Sequence, residues 1–236
     1  MKIAISSGDE LNHLLDALGQ EIVEAQIYHR LLCDLVAAIP EYKREFKESN
    51  TFWHVTINSL KEARLIRLCR VFDQNSSSLN LVNLLEIIKE NLHLFTEEQL
   101  RERIKDNVFA DSLCHFYRPP NKSQLETDIE YASCRNLLIK KLMIWRNNIV
   151  AHRGIKVVLS QQNILHRNPL SNEEIENLLT TGLRIFNRYS SLYRASSNSG
   201  QIIGHNDYKY LLDFIRLGLQ KWDEDIDKEF GADQKV

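Results

Sequence analysis

Apolar side chains recur every three or four positions along most of this chain, and the pattern breaks at a few polar or proline-bearing points. That period belongs to helices that bury one face, so the chain reads as all-α. The spacing predicts a first helix from about residue 8 to 38, ended ahead of Pro40, and a second from about 50 to 73, broken by Asp73-Gln74-Asn75-Ser76. A third covers about 79 to 92. A fourth runs from about 96 to 117, stopped before Pro119-Pro120, and a fifth from about 122 to 153. Residues 154–170 have no clear helical period, and Ile155 to Leu159 reads as a short extended piece. A sixth helix spans about 172 to 194. The polar stretch Ser196-Ser197-Asn198-Ser199-Gly200 is a loop, and a last helix runs from about 206 to 228. Hydroxyl residues followed three positions later by Glu or Gln mark helix starts at Ser7/Glu10, Thr96/Gln99, Ser123/Glu126 and Ser171/Glu174. Such pairs exchange hydrogen bonds with the free amides of a first turn.

With 236 residues, eight glycines and four prolines, the chain suits one all-helical domain over residues 1–236, a bundle of long antiparallel helices with additional C-terminal helices at about 171–230. No apolar run nears the length of about 18 residues that spans a bilayer, so no membrane is expected. The start Met1-Lys2-Ile3-Ala4-Ile5 is too short an apolar core for a secretion signal. Cys33, Cys69, Cys114 and Cys134 are scattered, which argues against disulfides and zinc and favours a reducing cytoplasm. The histidines are dispersed as well, so neither metal nor cofactor is expected.

The net charge of −2 gives no whole-molecule attraction for nucleic acid. Its distribution does. No acidic residue lies between Glu130 and Glu173, an interval that holds Arg135, Lys140, Lys141, Arg146, Arg153, Lys156 and Arg167 with His152 and His166. Such an interval is either an electropositive platform for a polyanion or a basic face answered by acids elsewhere. Within it stands Trp145-Arg146-Asn147-Asn148-Ile149-Val150-Ala151-His152-Arg153-Gly154. Arg146 offers a flat fork that matches phosphate oxygens, and His152 can act as acid and base near neutrality. That pair meets the needs of RNA cleavage through the ribose 2′-hydroxyl. A structural role fits the same residues: Arg146 capping helix carbonyls and His152 facing a helix dipole.

On a regular helix Leu138, Leu142, Trp145 and Ile149 form one stripe, flanked by Arg146 and His152 about 120° apart and about 9 Å along the axis. One helix then does not bring the two tips together. Either Gly154 ends the helix and lets the last turn rewind, or the stripe packs on a second copy and both motifs line one groove.

Arg146, Asn147 and His152 match the pattern of the HEPN superfamily, an Arg, a polar residue and a His four to six residues after the Arg. The chain most resembles its abortive-infection U-type members. Phe52-Trp53, the stretch from Arg64 through Arg70 to Phe72-Asp73, and Ser78-Leu79-Asn80-Leu81 match a second segment of that family. The resemblance covers about residues 10 to 160, with a HEPN-like core over about 8–160. It implies a helical bundle and metal-independent RNA cleavage in many members. It also implies dimers that pair two motifs, and roles in phage defence or toxin systems. Carried over, Arg146 would hold the scissile phosphate, His152 would move protons, and Asn147 would orient the pair or contact the substrate. Lys140, Lys141 and Arg153 would add phosphate contacts. RNA is then the expected substrate, a second copy would complete a composite site, and an antitoxin or defence protein would be a further partner. The alternative is a non-catalytic HEPN module that binds RNA, a nucleotide or a protein; a purely structural helical adaptor is the third reading.

Overall fold

The computed structural model describes residues 4–150 and 168–231. Its helices are α1 (Gly8–Ala38), α2 (Lys43–Glu48), α3 (Asn50–Val71), α4 (Leu81–Glu90) and α5 (Glu97–Arg103). They continue with α6 (Ala110–His115), α7 (Lys122–Ala132), α8 (Leu137–Trp145), α9 (Asn172–Arg194) and α10 (Tyr208–Gly231). Among the described residues there is no strand, so the all-α reading holds. The extended piece expected at 155–159, and Gly154, lie outside the described residues.

Two expected helices are broken, and short polar side chains break them. The fourth gives way after Arg103, where the Asn107 side-chain oxygen takes the Phe109 amide at 2.9 Å. The fifth is interrupted at Ser133-Cys134-Arg135-Asn136. There Ser133 Oγ accepts the Arg135 amide at 3.2 Å, and Asn136 Oδ1 accepts the Leu138 amide at 2.9 Å as the cap of α8. Side chains of this kind offer the backbone partners that compete with the helical ladder. The short α2 was not foreseen. Among the expected caps, Ser171 and Glu174 form a reciprocal box and Thr96 caps α5. Ser123 does not cap; Asn121 does, accepting the Gln124 amide at 3.1 Å.

The chain divides into two compact units, Met1–Gln26 with Glu62–Gln201, and Ile27–Lys61 with Ile202–Val236. In the first, Leu11, Leu15, Leu18 and Ile22 of α1 meet Leu68 of α3 and Phe72 just beyond it, Leu84 and Ile88 of α4, and Ile139 and Leu142 of α8. Helix α9 contributes Ile175, Leu178, Phe186, Tyr189 and Tyr193 to the same core. It is therefore a core helix of this unit. A Cβ at Gly182 would stand 3.1 Å from the Phe72 ring, so the bare backbone is what lets α9 approach the end of α3. Buried Asp128 of α7 accepts a hydrogen bond from the Tyr189 hydroxyl at 2.8 Å and pairs with Arg188. Burial first, then that hydrogen bond, pushes the Tyr189 phenol well above its ordinary range.

In the second unit, Leu32, Leu35 and Ala38 of α1 pack with Tyr42, Phe46, Trp53, Leu60 and Leu212. The Tyr42 hydroxyl donates to Asp213 Oδ1 at 2.9 Å, chiefly by which its phenol is pushed up to about 12. Arg216 stacks 4.2 Å over the Tyr42 ring and donates Nε to Glu45 at 2.6 Å. These contacts fasten one side of α10.

Candidate functional site

Helix α8 points its apolar residues inward. Leu142 and Ile139 are fully buried, Leu138 packs against the same core, and half-buried Trp145 donates its indole N–H to the Asn168 carbonyl at 2.6 Å. The stripe expected to meet a second copy is thus used, at Leu138, Leu142 and Trp145, by the chain's own unit. An interface there loses its apolar surface.

The α-helix ends at Trp145, and Arg146–Val150 is wound as a π turn. Asn148 Nδ2 donates to the Ile144 carbonyl at 2.8 Å, satisfying an acceptor at the change of winding. A π turn closes its hydrogen bonds one residue later than an α turn, so the angle of about 120° drawn on a regular helix does not apply. Single π turns of this kind often mark functional sites. His152 and Arg153 lie outside the described residues.

Arg146 and Asn147 open onto a pocket of about 330 Å³, lined with Met143, Cys134, Asp73, Gln74 and Asn75. Arg146 Nη1 donates to Asn147 Oδ1 at 3.0 Å, and Nη2 lies 3.3 Å from Asp73 Oδ1 and 3.4 Å from Oδ2. Charge-assisted N–H···O contacts usually close to about 2.7–2.9 Å, so Asp73 holds the guanidinium loosely. Asp73 itself is well fixed, its side chain only 13% exposed: Oδ2 accepts the Ser78 hydroxyl at 3.0 Å, and Oδ1 accepts the Gln74 amide at 2.8 Å. Gln74 ties this turn to the one before α8. Its Nε2 donates to the Ala132 carbonyl at 3.1 Å, and its Oε1 accepts the Cys134 amide at 3.1 Å. Buried Asn80 caps α4, accepting the Asn83 amide at 2.8 Å, and donates to the Asn75 carbonyl at 3.1 Å.

Two regions far apart in the chain therefore converge: the turn that runs from Phe72-Asp73 to Ser78 and Leu81, and Arg146-Asn147. The arginines preceding Phe72 serve the fold. Arg67 pairs with Glu21 and Glu24, Arg70 with Glu21, and buried Arg64 donates to Asn172. Cys69 lies buried near this site, and burial pushes its thiol up to about 12 against the opposing pull of the Arg146 charge. That thiol stays protonated and is no nucleophile.

The remaining cations separate into two kinds. Lys140 and Arg135 are exposed, with no ion pair among the described residues. Lys141 reaches both oxygens of Glu174, at 2.6 and 2.8 Å. Hydrogen bonds from Lys141 and then from the Ser171 amide hold the Glu174 carboxyl below the usual carboxylate range. The acid-free interval is thus partly answered from outside itself, by Asp73 on Arg146 and Glu174 on Lys141. A group held low contributes stability that is present at neutral pH and lost as pH falls through its folded value. Glu174→Gln should be less stable than the parent by about 1 kcal/mol at pH 7, since the pair is partly exposed. In urea titrations that difference should vanish below the carboxylate range; a difference constant with pH would assign the effect to the cap alone.

Among the described residues no three His, Cys, Asp or Glu side chains group as metal ligands, and no helix is long and apolar enough to cross a membrane. A HEPN family model described as AbiU2 matches residues 8–217, continuing through α9 into α10, past the point near 160 where the resemblance was read to end. No curated protein and no solved structure matches the chain.

Proposed function

Because the chain belongs to the AbiU2 family of HEPN domains, we propose that it is a metal-independent endoribonuclease serving as an abortive-infection or toxin effector. What most supports this reading is Arg146 at the mouth of a pocket that residues 73–75 share with Cys134, Met143 and Asn147, with a carboxylate beside it at exchangeable distance. A guanidinium has five N–H donors, and among the described residues Asn147 and Asp73 engage only part of that set. The rest can take the non-bridging oxygens of a phosphate. The ribose 2′-hydroxyl attacks the adjacent phosphorus, the bond to the 5′-oxygen breaks, and a 2′,3′-cyclic phosphate is left. His152 takes the 2′-hydroxyl proton and returns one to the leaving 5′-oxygen, Arg146 stabilises the charge gathering on phosphorus oxygens, and Asn147 fixes the fork. Lys140 and Arg153 extend the grip along the backbone, while Lys141 does so only after releasing Glu174. An antitoxin or defence protein would restrain the activity, and the cytoplasm is where such an effector meets its RNA.

The Arg146–Asp73 pair also favours a second reading, in which the guanidinium is a brace and the module binds RNA without cutting. Incubating the purified chain with a mixed RNA pool in EDTA, followed by end-group analysis, separates them. Cleavage leaving 2′,3′-cyclic phosphate, or its hydrolysis product, is expected. Cleavage that chelator abolishes, or that leaves 3′-hydroxyl ends, would overturn the mechanism. Salt-dependent binding without cleavage would establish the second reading.

A further inference from the structure

Helix α10 buries only one side. Leu212 is fully buried, Tyr208 and Ile215 pack against the second core, and Asp213 and Arg216 are tied to Tyr42 and Glu45. The opposite side is open and apolar: Tyr210 is 69% exposed, Phe214 70%, Leu217 61% and Trp222 64%, with Leu211 and Ile226 exposed beside them. Tyr210, Phe214, Gly218, Trp222 and Ile226 follow one another at intervals of four, which makes a single ridge along the helix. Gly218 cuts a notch in that ridge. A Cβ there would meet nothing within 4 Å, so no contact inside the chain requires the glycine. Its conformation does not require it either, because among the described residues the glycine with positive φ is Gly204. Glycine within a helix costs up to about 1 kcal/mol against alanine, and no contact among the described residues offsets that cost.

We propose that α10 is the interface between two copies of this chain, packed antiparallel so that the ridge of each fills the notch of the other. Ridge and notch stand on the same helix, which suits a self-complementary two-fold contact better than an unrelated partner. Phe214 would then lie over the partner's Gly218, and Tyr210 would face the partner's Trp222. An aromatic side chain buries about 150–250 Å². Covering the exposed ridge and its flanks removes on the order of 800 Å² from each copy, what a stable interface buries per partner. Charge sets the direction. Asp223, Glu224, Asp225, Asp227 and Glu229 outnumber Lys221 and Lys228 at the C-terminal end, even with Glu224 and Asp225 paired to those lysines and Asp223 to Arg44, while Lys209 stands at the N-terminal end. Antiparallel packing brings the acidic end of one helix to the positive dipole end of the other; parallel packing would set acid beside acid. The same acidic end disfavours an anionic membrane as the occupant.

The proposal rests on α10 alone and does not depend on the ribonuclease reading. Sedimentation equilibrium of the full chain at micromolar concentration should give a dimer. Phe214→Glu and Gly218→Leu should each raise the dissociation constant by about 30-fold or more, the scale of a central interface residue. Gly218→Leu enters open space in its own chain, so its circular dichroism should match the parent's and a monomer would reflect the interface itself. A parent chain that is monomeric, a dimer indifferent to both variants, or flotation with vesicles of anionic phospholipid would each overturn the proposal.

Discussion

Replacing Arg146 with alanine should lower RNA cleavage by about 1,000-fold or more while barely moving the unfolding midpoint. The rate loss is the scale expected when a donor aimed at developing transition-state charge is removed. The fold should survive because, among the described residues, the side chain reaches only Asn147 and, loosely, Asp73. Asp73 keeps its bonds from the Ser78 hydroxyl and the Gln74 amide when the guanidinium is gone. Arg146→Lys should recover little, since an ammonium retains the charge and loses the planar fork. His152→Ala should be equally inactive, with the proton transfers rather than RNA binding lost. The measurement is single-turnover cleavage beside a thermal melt for each variant. Wild-type cleavage by Arg146→Ala, or an unfolded variant, would remove Arg146 from the reaction and leave it a brace.

The second large effect falls on stability. Asp128→Ala should cost about 3 kcal/mol in urea unfolding, because it strands two groups at once. Tyr189 would keep a buried hydroxyl without its acceptor, and the Arg188 guanidinium would lose its carboxylate partner. Tyr189→Phe removes the hydroxyl and its need together, leaving the Asp128–Arg188 pair, and should cost about 1 kcal/mol. The gap between the two variants is the diagnostic quantity. Equal losses would show that the Tyr189 hydrogen bond, and not the ion pair, joins α7 to α9.

Helices with an unbroken apolar period, α1, α3, α9 and α10, were legible from spacing alone, and the Ser171–Glu174 box announced the start of α9. The breaks after Arg103 and Ala132 were not. Apolar residues keep helical spacing across both, with Leu100 before and Ile104 after the first, and Leu125 and Ala132 before and Ile139 and Leu142 after the second. What decides there is a local competition, won by the side chains of Asn107, Ser133 and Asn136, which a hydrophobic period does not register. The site divides along the same line. Arg146 and Asn147 stood out by residue type, and Phe72-Asp73 by resemblance. Asp73 was taken for a helix breaker because its ion pair spans 73 positions, and such pairing leaves no trace in neighbouring residues. The partial answer to the acid-free interval was hidden for a related reason. Charge is balanced in space, and Glu174, 33 positions from Lys141, does the balancing.

The π turn at Arg146–Val150 bears on how such a motif tolerates insertions. A π turn is an α-helix that has taken in one more residue without passing the disturbance to the turns before it. Leu142 and Met143 stay seated in the core on one side of this boundary, whichever winding follows. A residue gained or lost after Arg146 can then be absorbed by a change of winding, with the helix N-terminal to it left in register. The count between arginine and histidine is in that case an adjustable tether, and the superfamily's spread of four to six residues becomes one hinge used at different settings.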